Sequence, residues 1–181
     1  MKSHEPFKIP IWEFELEIDN SLLVEFCLEF EKNNPSADKS NQGGYQSPNL
    51  SFDNLEISML ISDIEWKLRE AQENPLVVSN LWFNINRYKD SNLPHLHPHS
   101  MYSGVYYVKT PKDCGVLKLE HPALDLLYHY PNGCDGAHFI MEAKEKMLYI
   151  FPSWIKHYVS PNNNNTEERI SIAFNSSAGV T

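Results

Sequence analysis

The stretch Leu81-Trp82-Phe83-Asn84-Ile85-Asn86-Arg87-Tyr88 alternates two kinds of side chain. Leu81, Phe83 and Ile85 are apolar, while Trp82, Asn84, Asn86 and Tyr88, with Asn80 just before them, are polar or amphipathic. Successive side chains of an extended strand point to opposite faces. The pattern therefore predicts a strand over residues 76–88 with one face in a core. Its other face either meets solvent or lines a wet cavity. Arg169-Ile170-Ser171-Ile172-Ala173-Phe174-Asn175 repeats the arrangement, with Ile170, Ile172 and Phe174 on one side and Arg169, Ser171, Ala173 and Asn175 on the other.

Outward from these two segments the texture stays that of short strands. Residues 102–109, 116–120, 137–142, 147–151 and 155–160 are further candidates, with turns at 131–133 and 161–166. Many short strands separated by turns predict a sandwich or small barrel. Upstream, the alternation of residues 7–18 predicts one more strand. A helix capped by Asn20 or Ser21 follows, with Leu22, Leu23, Phe26, Cys27 and Phe30 at helical spacing. Residues 33–52 are polar and rich in turn formers, which predicts a long loop and a candidate substrate lid. A second helix is expected over residues 53–72, with Leu55, Met59, Leu60, Ile64 and Leu68 on one side and Asn74-Pro75 as its stop. The expected class is mainly β with flanking α, two N-terminal helices covering one sheet. A single domain spans 1–181, with the N-terminal strand and helices in 1–75 and the β core in 76–176.

The chain's 181 residues suffice for one full core, and its 4 Trp, 9 Tyr and 9 Phe can fill a β-rich interior. A net charge of -9 speaks against a basic nucleic-acid groove. Cys27, Cys114 and Cys134 are odd in number and lack CxxC spacing. They predict ordinary thiols and a reducing cytoplasm rather than a disulfide framework. No signal-peptide pattern opens the sequence, and no apolar run approaches the roughly 20 residues a membrane span needs. Pairing of two copies through the N-terminal strand or helices stays open.

The chemistry concentrates in histidine. His95-Leu96-His97-Pro98-His99 places three imidazoles on one face of an extended segment, and His157 can add another from far along the chain. Neutral imidazole is the commonest metal ligand. His4, His121, His129 and His138 lie apart and read as ordinary surface residues. Arg169 offers a guanidinium that forks onto a carboxylate, with the Ser171 hydroxyl on the same face. Two or three histidines beside a carboxylate clamp read as a non-haem iron site that also holds an organic acid. This is close to the 2-His-1-carboxylate facial triad, with histidine where the carboxylate would stand. Tyr106, Tyr107, Asn84 and Asn86 are candidates to line the cavity, only one of the adjacent tyrosines being able to face it. Of the two, Tyr106 is expected to reach the organic acid beside Asn84.

Taken together, Trp82-Phe83-Asn84, His95-Leu96-His97-Pro98, Ser103-Gly104-Val105-Tyr106-Tyr107-Val108, Phe151-Pro152-Ser153, His157 and Arg169 through Asn175 resemble a family of 2-oxoglutarate/iron(II) oxygenases of bacteria and their viruses. The resemblance is strong over residues 80–175 and weak before them, where Ile11-Trp12 and Gly43-Gly44-Tyr45 carry it. It implies a double-stranded β-helix of the jelly-roll, cupin-like kind. It also implies iron(II) as metal, 2-oxoglutarate and O2 as co-substrates, and hydroxylation of a substrate the sequence does not specify. His95, His97 and His157 match the metal ligands, and Arg169 with Ser171 matches the co-substrate clamp. His99 falls where the pattern is not fixed, so a His97/His99 pair is the alternative register. All-histidine iron sites also occur in thiol dioxygenases. The competing reading is accordingly a cupin-like metal protein with thiol-dioxygenase or isomerase activity, independent of 2-oxoglutarate. Zinc would suit the same ligands. Free imidazole titrates near pH 6.5, so acid is expected to displace the metal below about pH 6.

Overall fold

A computed structural model of the chain describes residues 2, 8–72, 75–127 and 137–179. The alternation at residues 81–88 is realised in β4 (Leu76–Asn86), which pairs antiparallel with β11 (Arg169–Ala178), so that Leu81, Phe83 and Ile85 share a buried face with Ile170, Ile172 and Phe174. β6 (Tyr102–Lys109), β9 (Met147–Pro152), β1 (Trp12–Glu15) and β3 (Tyr45–Gln46) complete a six-stranded sheet in the order β1-β9-β6-β11-β4-β3. A second sheet of five strands has the order β2-β5-β10-β7-β8. Its members are β2 (Asn41–Gln42), β5 (Ser91–His95), β10 (His157–Val159), β7 (Val116–Glu120) and β8 (His138–Glu142). Every pairing is antiparallel.

Two helices cover the outer face of the larger sheet. α1 (Asn20–Asn33) starts at Asp19, whose carboxylate accepts the Ser21 N–H, and α2 (Leu55–Ala71) starts at Asn54, whose side chain accepts from Ile57 N. Both caps satisfy an amide the first helical turn would otherwise leave unpaired. Ile57, Leu60, Ile61, Ile64 and Leu68 of α2 and Leu23 and Cys27 of α1 are buried against the strand residues in one apolar core. Leu55 and Met59, expected on that face, are exposed instead; the buried stripe of α2 is centred on Ile57, Ile61 and Ile64. A second apolar cluster, built on Tyr107, Leu117, Leu119, Tyr149, Phe151 and Ile155, fills the space between the two sheets. A short third helix, α3 (Leu124–Leu127), was not foreseen.

The N-terminal part does more than cover the core. β1 closes one edge of the larger sheet by pairing with β9. Within the expected long loop 33–52, β2 pairs with β5 and β3 pairs with β4, so this hairpin ties the two sheets together along one side. Its turn is Gly43-Gly44, both at positive φ, where Asp90 and the Ile85 carbonyl leave no space for a Cβ. The turn forecast at 131–133, Cys134, His4 and His129 lie outside the described residues. No helix among the described residues is long and apolar enough to cross a membrane.

Candidate metal and co-substrate site

The polar face of β4 looks into the space between the sheets. Register fixes the depth of each residue there. Asn86 pairs with Arg169, Asn84 with Ser171, Trp82 with Ala173 and Asn80 with Asn175. Across from them His95 pairs with His157, and Asn92 pairs with Val159 further in. The resulting cavity is lined by Trp82, Asn84, His95, His97, His157, Arg169 and Ser171, among others. The histidines thus stand toward one end and the guanidinium toward the other.

His95, His97 and His157 bring one ligand atom each to within 4.8 Å of the others. The ring nitrogens Nδ1 of His95 and His157 lie 2.7 and 2.9 Å from the carbonyl oxygens of Leu93 and Ile155. A carbonyl only accepts, so each Nδ1 carries the proton and each Nε2 keeps its lone pair. Nε2 of His157 then approaches Nε2 of His97 to 3.2 Å. Imidazole nitrogens bind a transition metal at about 2.1 Å, so two at right angles on one ion would lie about 3 Å apart. The donor set therefore fits a divalent metal. Burial, with mutual repulsion between the rings, lowers the pKa of His97 to about 4 and of His157 to about 3; burial lowers that of His95 as well. All three rest in the neutral form that ligation requires. His97 is steadied by the Trp82 ring, 5.5 Å away between centroids, and by its backbone N–H, which donates to Ser153 O. The Ser153 hydroxyl is tied to Ser103 at 2.8 Å, and Ser103 donates to Asn175 at 2.7 Å. His99 is exposed, in a turn at positive φ, and stands apart from the three.

Arg169 is 1% exposed. Its Nη1 donates to Cys114 O and Ser160 O, while Nε and Nη2 are buried without a partner, and no carboxylate pairs with it among the described residues. Gly115, at positive φ, leaves the guanidinium its room: a Cβ there would meet Nη1 at 2.9 Å. Burial lowers the pKa of Arg169, the mark of a cation that lacks its anion. Two orphaned donors on a buried guanidinium cost several kcal/mol unless an acceptor arrives. A carboxylate supplies two oxygens in the matching fork. The residues present therefore fit a metal-bound organic acid whose far carboxylate reaches Arg169.

Beside the clamp stands a row of carboxamides. Asn86 Nδ2 donates to Asn92 Oδ1 at 3.5 Å, and Asn92 Nδ2 donates to Asn84 Oδ1 at 3.3 Å. With its oxygen engaged, Asn84 keeps its amino group as a donor for the cavity it lines. Asn92 carried no signal in the sequence, since its partners are set by strand register alone. Tyr106 corrects an expectation. It faces the helices, fully buried, its hydroxyl donating to Asn20 Oδ1 at 2.7 Å. Tyr107 is the one that lines the cavity, because it pairs with Ser171 and shares that residue's face.

Neutral ligands at one end of a pocket and an unpaired cation at the other, between the sheets of a double-stranded β-helix, define a class of metal-dependent proteins that hold a dicarboxylic acid. A family model described as "Putative 2OG-Fe(II) oxygenase" matches residues 80–175, and the chain belongs to this family. It is a 2-oxoglutarate-dependent dioxygenase that works with iron(II). A comparison with curated proteins finds no match. Among solved structures, a Pseudomonas putida prolyl-4-hydroxylase is similar at 18% identity and a TM-score of 0.65, covering 93% of each chain. A viral collagen prolyl hydroxylase from Paramecium Bursaria Chlorella virus-1, in complex with 2-oxoglutarate, is similar at 9% identity and a TM-score of 0.65, covering 93% of this chain and 96% of the other. HygX from Streptomyces hygroscopicus, with nickel and 2-oxoglutarate bound, is similar at 8% identity and a TM-score of 0.65, covering 93% of this chain and 82% of the other. At these identities the likeness is one of fold.

Proposed function

We propose that the protein couples the oxidative decarboxylation of 2-oxoglutarate, to succinate and carbon dioxide, with hydroxylation of a C–H bond in a second substrate. His95, His97 and His157 would hold the iron, which when bound supplies the site for oxygen and for the keto-acid end of 2-oxoglutarate. Arg169 and Ser171 receive the distal carboxylate, Asn84 offers its amino group, and Tyr107 lines the same cavity. The low pKa values of the histidines keep them unprotonated at neutral pH. The apolar walls around the site, Leu117, Val159 and Phe151, exclude water from the reacting centre.

The observation that carries this reading is the pair of unpartnered donors on buried Arg169, in the same cavity as the three histidines. A thiol dioxygenase or isomerase would leave them idle. The free thiols of Cys27 and Cys114 suit a reducing cytoplasm. The test is anaerobic loading with iron(II), then 2-oxoglutarate and air, with succinate followed by NMR and 2-oxoglutarate binding by calorimetry. Succinate that disappears with Arg169→Ala supports the reading. Absence of both succinate and 2-oxoglutarate binding overturns it.

A further inference from the structure

A groove of about 480 Å³ opens beside the metal ligands and shares Ser40, Trp82, His95 and His97 with the inner cavity. Its walls differ. Leu93, Pro94 and Leu96 form one side, Leu93 and Leu96 being largely exposed. Carboxamides form the other: Gln46, Asn49, Asn80 and Asn175. Among the described lining residues Lys39 is the one lysine or arginine, and none of them is a carboxylate. Gln46 is 7% exposed, and its Oε1 is buried with no donor facing it. Such an acceptor is costly unless a ligand donates to it.

The carboxamides are set at two levels. Gln46 pairs with Asn84 on β4, and Asn80 pairs with Asn175 on β11. Asn80 and Asn84 share one face of the strand, so the levels are separated by four residues, about 13 Å at 3.3 Å per residue. Trp82 stands between them with its ring against His97. A chain laid along this wall would meet hydrogen-bonding groups on both sides of Trp82 and His97 and present its middle to the histidines. One small amide could engage a single level.

From these observations we infer that the groove binds an extended, uncharged peptide segment, whose backbone amides pair with the carboxamide wall and whose apolar side chains rest on Leu93 and Leu96. Each carboxamide offers both a donor and an acceptor, as a peptide group does. On binding, the Gln46 carboxamide turns so that its Oε1 accepts a substrate N–H. Recognition relies on hydrogen bonds and apolar contact, because the groove offers little charge to complement. This inference rests on the oxygenase reading above.

The test uses the iron(II)-loaded protein with 2-oxoglutarate, air and three random hexapeptide pools blocked at both ends: neutral, acidic and basic. Succinate is measured together with gain of one oxygen by mass spectrometry. The expected result is oxygen incorporation chiefly in the neutral pool. Gln46→Leu is expected to raise the KM for neutral peptides about tenfold, more than it lowers kcat. Gln46→Glu preserves the shape and should move preference toward the basic pool. If uncoupled succinate forms but no pool gains oxygen, or if neither Gln46 variant changes KM or preference, the peptide assignment is overturned. If neither succinate nor 2-oxoglutarate binding appears without peptide, the oxygenase reading itself has failed.

Discussion

If His95, His97 and His157 hold the metal, His97 takes the place that a carboxylate has in a facial triad. Three neutral imidazoles leave an iron(II) ion its full double charge, whereas an aspartate would cancel one unit. The keto-acid end of 2-oxoglutarate would bring one negative charge to such an ion, its distal carboxylate being paired with Arg169, so the centre would keep one unit of positive charge. Co-substrate affinity should lean on that charge, so His97→Asp is expected to retain metal but bind 2-oxoglutarate more weakly, by calorimetry under anaerobic conditions; tighter binding would contradict this. Burial also alters the acid limit read from the sequence. With the pKa of His97 lowered to about 4, that of His157 to about 3 and that of His95 lowered as well, protons compete for these nitrogens in the folded protein at lower pH than the free imidazole value implies. The sign for stability follows from the same values. In the unfolded chain these histidines titrate near 6.5. Between about 6.5 and 3 the unfolded state therefore binds more protons, and metal-free protein should lose stability as pH falls through that window. Its Tm is expected to be flat above pH 7 and to drop between pH 6.5 and 4.5.

At the scale of elements, the hairpin β2–β3 carries a burden its short strands conceal. It joins the edges of both sheets and delivers Ser40 and Gln46 to the site. Gly44 sits at φ 63°, with the Ile85 carbonyl 2.8 Å from where a Cβ would be. Gly44→Ala is expected to destabilise the fold by about 1–3 kcal/mol, read as a lower urea midpoint with unchanged slope. Residues 33–52 read as a loop because two-residue strands leave no alternation to detect. Their pairing is decided by partners far along the chain, β5 and β4.

On the scale of the whole molecule, the space between the sheets places three histidines toward one end and a buried guanidinium toward the other. Filling both should tighten the fold. Iron(II) with 2-oxoglutarate at about 100 times its dissociation constant adds about 2.7 kcal/mol. For a chain of this size that raises Tm by about 5–10 °C over the iron-only protein. Arg169→Lys, which keeps charge but loses the fork, should forfeit most of the 2-oxoglutarate increment in a thermal scan while retaining the iron increment.

The sequence by itself determined the strands β4 and β11, the two helices, the face that Arg169 and Ser171 share, and the histidine cluster from which the ligands are drawn. Each follows from local periodicity or from residue types whose chemistry is unambiguous. Tertiary structure alone decided which of Tyr106 and Tyr107 looks inward, that His97 and not His99 joins His95 and His157, and that Asn92 orients Asn84. It also decided that Gln46 reaches the groove. These depend on register between strands distant in sequence. A shift of one residue turns every side chain to the other face, and no local pattern records which register the whole core will select.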